Sequence, residues 1–134
     1  MEWTRRSALA AVGMAALPWH AFASGDAEAP QVIEVDQFNV SVVRNARSTG
    51  IMLIRIRLIA KNALAGAAVT KAMPRLRDAF QRSITDYANR RPLGLIEIDL
   101  DTIHKGLDRE AKQIMPGDQI AAILFRQAQF TAAR

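Results

Sequence analysis

Ile51-Met52-Leu53-Ile54-Arg55-Ile56-Arg57-Leu58-Ile59-Ala60-Lys61 is the stretch on which the fold turns. Leu53, Arg55, Arg57 and Ile59 share one face of it, while Ile54, Ile56 and Leu58 take the other, which is the two-residue period of a β-strand. Two arginines are costly to bury unpaired, so Ile54, Ile56 and Leu58 form the core side. Upstream, Phe38, Val40 and Val42 alternate with Gln37, Asn39 and Ser41 in the same period. Asn45 to Gly50 lies between the two runs and has the composition of a turn. A connection that short joins antiparallel strands, so the two runs form a long hairpin with its arginines outside.

Downstream the apolar period lengthens. Asn62 to Gly66 breaks the strand, and Met73, Leu76, Phe80, Ile84 and Tyr87 then step by three or four residues along one helical stripe. Thr70 is the expected N-cap, and Pro74 fits in the opening turn, where its missing N–H costs nothing. Asp78 with Arg82 and Asp86 with Arg90 are spaced for ion pairs on the solvent side. Arg90-Arg91-Pro92 closes the helix with basic groups at its negative end. Ile96, Ile98 and Leu100 alternate with Glu97 and Asp99, which allows a short strand. Leu100, Ile103, Leu107, Ala111 and Ile114 make a second helical stripe, capped by Asp99 or Asp101 and ended by Pro116-Gly117. Gln119 to Phe130 closes the pattern as an apolar strand, with Ile120, Ala122 and Leu124 on one face and Ala121, Ile123 and Phe125 on the other. At its start both faces read as covered, which predicts an interior strand. The fold class is α+β: a small, largely antiparallel sheet, made of the long N-terminal hairpin and the C-terminal strand, packed against two helices.

The chain has 134 residues, half of them apolar, enough for one domain with a core. Residues 1–23 read as an export signal. Arg5-Arg6 precedes a weakly apolar run from Ala8 to Leu17, and Ala21-Phe22-Ala23 offers small residues for cleavage before Ser24. That run is about half the roughly 20 residues a membrane-spanning helix needs. Arg5 and Arg6 also give it the look of a twin-arginine signal, although Ala8 sits where such signals usually carry a large apolar residue. Residues 24–31 form a short, polar mature N-terminus that reads as flexible. Residues 32–134 form the single domain. Export places the protein in the periplasm.

Without the signal the chain keeps 16 basic and 12 acidic groups, unevenly distributed. Residues 24–43 carry −4, residues 44–91 carry +9 and residues 92–134 carry −1. A basic middle steers a protein toward anionic partners, although the same charges also solvate the outside of a hairpin and a helix. Export and the lack of an aromatic platform speak against nucleic acid.

Specific chemistry is sparse. With no cysteine, disulfides, thiolate metal sites and a thiol nucleophile are excluded. No phosphate-binding loop, dinucleotide fingerprint, nucleophile elbow or zincin motif occurs. Glu97, Asp99, Asp101 and His104 are the most catalytic-looking cluster, since alternate carboxylates can hold a hard cation and an imidazole can act as a base. Acids in that place also cap a helix and favour its positive end, which is the preferred reading. His104 is four residues from Asp108, the spacing of an ordinary helical pair. The sequence therefore predicts no enzyme, no cofactor and no metal.

Val35-Asp36-Gln37-Phe38-Asn39-Val40-Ser41-Val42, the strand Leu53 to Leu58, the helix start Met73-Pro74-Arg75-Leu76-Arg77-Asp78-Ala79-Phe80 and the closing run Ile120 to Phe130 carry a resemblance. Together they make the domain similar to the periplasmic domain of the flagellar basal-body-associated FliL family, over most of residues 32–131. The resemblance implies a stomatin-like fold and a non-enzymatic accessory of the flagellar motor, supporting the stator and swimming through protein–protein association. The implied partners are flagellar stator or basal-body proteins, a second copy of the chain, and the inner-membrane surface. The family carries an uncleaved transmembrane helix where this sequence has a short export signal, so the expected form is a soluble periplasmic relative. Arg55, Arg57, Arg75, Arg77 and Arg82 are the candidate interaction surface. Two readings stand beside it: a periplasmic binding module for a small anionic ligand or anionic lipid on the same arginines, and a small metal-assisted enzyme around Asp99, Asp101 and His104.

Overall fold

The element order is β1 (Gln31–Glu34), β2 (Phe38–Arg44), β3 (Arg47–Ala60), α1 (Ala63–Arg90), α2 (Leu100–Ile114) and β4 (Ile120–Ala132). The computed structural model describes residues 28–90 and 97–133. The export signal, with Arg5, Arg6, Ala21 and Ala23, lies outside the described residues, as do residues 24–27 of the expected N-terminal stretch and the link 91–96.

β3 is the axis of the sheet. β1 and β2 pair antiparallel with successive parts of it, from Gln31 opposite Ala60 to Arg44 opposite Arg47. β4 pairs with it from Gly50–Ala132 to Ala60–Ile120, also antiparallel. The α+β class read from the sequence is the class observed. Glu34 faces Arg57 and Phe38 faces Ile54, so four steps on one side match three on β3 and Val35–Gln37 carries an extra residue. The hairpin is tighter than expected. Arg44 pairs directly with Arg47, and only Asn45 and Ala46 turn the chain, both with positive φ.

The faces divide as the alternation of β3 requires. Met52, Ile54, Ile56, Leu58 and Ala60 are buried, together with Phe38, Val40 and Val42 of β2 and Ile123 of β4. Leu76, Phe80 and Ile84 of α1 and Ile103, Leu107 and Ala111 of α2 complete that core. Phe38 and Phe80 meet edge to face at 6.5 Å between ring centres. Both helices therefore lie on one side of the sheet, and among the described residues the other side is open.

Three expectations need correction. First, α1 begins at Ala63, not near Thr70. Asn62 is its cap, its side-chain oxygen accepting the Ala65 N–H at 2.9 Å, while the Thr70 hydroxyl donates to the Gly66 carbonyl within the helix. Pro74 is then interior, and the Thr70 carbonyl loses its helical donor at a turn where Thr70, Lys71 and Pro74 are exposed to water. Second, the short strand that the alternation around Ile98 allows does not form over residues 97–99, and Leu100 already belongs to α2. Third, β4 is an edge strand, with β3 its only sheet neighbour among the described residues. The sequence suggested two covered faces because Ala121 and Ala122 are small and apolar. In the fold Ala121 is exposed, and Leu124 is 47% exposed on the outer side.

Candidate functional site

The open face of the sheet carries the outward residues of β3: Ile51, Leu53, Arg55, Arg57 and Ile59. Register fixes their neighbours. Val32 of β1 and Ala122 of β4 flank Ile59, and Glu34 and Leu124 flank Arg57. At the far end Asn39 and Gln129 flank Leu53, and Ser41 and Thr131 flank Ile51. Two aliphatic pads thus lie at the ends of β3, with arginines between them. Val32 is 56% exposed and Ile51 50%.

Glu34 organises the middle of this face. Its Oε1 accepts from Arg57 Nε at 2.8 Å and sits 2.7 Å from Arg57 Nη2, while Oε2 lies 3.2 Å from Arg126 Nη1. Partial desolvation pushes the Glu34 carboxyl up, but the hydrogen bonds and charges of Arg126 and Arg57 outweigh it, and the net position is below the ordinary range. Arg126 lies beside the register shift that separates Arg55–Gln127 from Ile56–Phe125. Such a shift re-aims side chains on a strand. Arg55 makes no ion pair among the described residues and is exposed.

The five arginines expected to form one surface do not share one. Arg55 and Arg57 lie on the open sheet face, whereas Arg75, Arg77 and Arg82 belong to α1 on the opposite layer. Arg77 is committed to structure, its guanidinium 4.5 Å above the Phe38 ring centre and donating to the Asp36 carbonyl at 2.6 Å. Arg82 pairs with Asp78 at 3.5 Å. Glu34 and Arg126 belong to the site and were missed in the sequence, where nothing marks them until strand register is known. Arg44 was missed too: it donates to the Asn89 and Ala88 carbonyls and so caps the end of α1.

The acidic cluster ahead of α2 is bound up in helix capping. Asp99 is the cap. It accepts from the Thr102 hydroxyl at 2.6 Å and the Thr102 N–H at 3.3 Å, and these bonds hold its carboxyl below the ordinary range. The Asp99 N–H donates to the Tyr87 hydroxyl at 2.8 Å. Asp101 bonds Lys105 at 3.0 Å, which raises the Lys105 ammonium above its usual value. His104 does not pair with Asp108, which pairs with Lys112 at 2.9 Å. Instead its ring lies 6.2 Å from that of Phe125, centre to centre. Among the described residues no group of three His, Asp or Glu side chains is placed to hold a metal ion.

A cleft of about 460 Å³ opens between the helices, with Tyr87, Arg90, Glu97, Asp99, Thr102 and Arg109 among its walls. It brings Glu97 together with Asp99 but leaves Asp101 and His104 outside. No helix among the described residues is long and apolar enough to cross a membrane.

No protein-family model matches the chain, and no curated protein matches it. The likeness to the FliL family therefore rests on the residues quoted for it.

Proposed function

We propose that the domain is a non-enzymatic periplasmic accessory of the bacterial flagellar motor, which supports the stator by binding other proteins. The observation that carries the association part is the open sheet face, where an arginine cluster and exposed aliphatic side chains stand together. A sheet buries its apolar face against another layer, and among the described residues only one side of this sheet has one. The motor setting comes from the family resemblance alone.

The rival reading, a pocket for a small anion, fits less well. Arg55 and Arg57 stand on an open sheet surface, and the cleft between the helices sets Asp86, Glu97 and Asp99 against Arg90 and Arg109. That acid surplus repels an anion. Deleting the gene in its native host and following swimming on soft agar beside a complemented strain tests the proposal. Slowed or lost swimming with intact filaments is the expected outcome. Normal swimming overturns the motor role.

A further inference from the structure

The two layers of the molecule differ in how their charge is spent. On the helices, Asp78–Arg82, Asp86–Arg90, Asp101–Lys105 and Asp108–Lys112 pair four residues apart, while Lys71, Arg75 and Arg77 of α1 make no ion pair among the described residues. The strands of the open face carry Arg55, Arg57 and Arg126 against Glu34 alone, a surplus of positive charge between two aliphatic pads.

We propose that this face seats an amphipathic helix of a partner protein, with aliphatic side chains at its two ends and carboxylates between them. The inference rests on the reading of the domain as an association module. Charge decides the occupant. A second copy laid face to face would set one arginine belt against another, which disfavours that pairing. An anionic bilayer gains little from so small a charge surplus, and the pads are only half exposed. A helix with acids in its middle satisfies Arg55, shares Arg57 and Arg126 with Glu34, and covers both pads. Its length follows from geometry. Leu53 and Ile59 lie six residues apart on β3, about 20 Å, a span that takes about 13 residues of helix.

The test places the photo-cross-linking residue p-benzoylphenylalanine at position 51 or at position 124 of the full chain in the native host. Cross-linked peptides are then identified by mass spectrometry. The expected result is capture of one segment of one partner from both positions, apolar where it meets each pad and acidic between. Arg55→Glu should lower the yield at least tenfold, and Arg82→Glu, on the helix layer, should leave it unchanged. Thermal melts of both purified variants check that each folds. Capture of this chain's own peptides, of lipid, of a segment without carboxylates, or of nothing overturns the proposal. Capture of the acidic helix in a host whose deletion strain swims normally would remove the motor role and leave the docking site standing. Lost swimming without capture would do the reverse.

Discussion

Ala46 is the residue the hairpin holds under most backbone strain. With φ of 64°, after Asn45 at 51°, it occupies the left-handed region in a two-residue turn that prefers Asn-Gly. An L-residue with a Cβ costs about 1 kcal/mol or more there. Ala46→Gly should therefore stabilise the domain by about 1 kcal/mol, read as a higher urea midpoint at unchanged slope. Glu34 makes a second prediction at this scale. Its carboxyl is held below the ordinary value of 4.5, so its stabilising effect is in full force at neutral pH and is lost as pH falls through the folded-state value. Melting curves of wild type and Glu34→Gln should differ at pH 7 and converge below that ordinary value. A gap that stays constant through the acid range would show that the Arg57 and Arg126 bonds do not favour the charged form.

Among the elements, the crossing of α1 and α2 depends on Gly106. A Cβ there would come within 2.6 Å of Ser83 Oγ. Alanine in place of glycine in a helix gains about 1 kcal/mol, but Gly106→Ala must spend part of that gain turning the Ser83 hydroxyl away. The double variant Ser83→Ala with Gly106→Ala should recover it, and a double-mutant cycle in urea should show positive coupling between the sites. Additive effects would mean that the helices shift apart instead. The elements were legible in the sequence where one periodicity ran unbroken: β3, the Leu76-Phe80-Ile84 stripe, and α2, whose cap was narrowed to Asp99 or Asp101. The first turns of α1 were not, because Gly66 read as part of a break and Pro74 read as an opening-turn residue, which moved the expected start to Thr70. In the fold Gly66 lies against Gln31 of β1, where a Cβ would be 3.0 Å from the Gln31 side-chain oxygen, and Pro74 sits on an exposed turn. Tertiary packing overrides local propensity at Gly66, whereas Pro74 is accommodated at a turn that faces solvent.

In the whole molecule, the sequence showed which way Arg55 and Arg57 face, because alternation within one strand is a local property. It could not show that Glu34 and Arg126 join them, since that depends on register between strands distant in the chain, nor that α1 carries its arginines to the opposite layer. The same distance governs how the protein is made. β3 meets β4 only through residues synthesised sixty or more positions later, from Ala60–Ile120 to Gly50–Ala132. Until then a nascent chain carries Ile54, Ile56 and Leu58 on a strand with one hydrogen-bonding edge unfilled, the condition that invites pairing with other chains. Such late, non-local closure is slow. Synthesis of the domain therefore passes through a window, spanning the whole of both helices, in which its central strand needs protection from its neighbours in the cell.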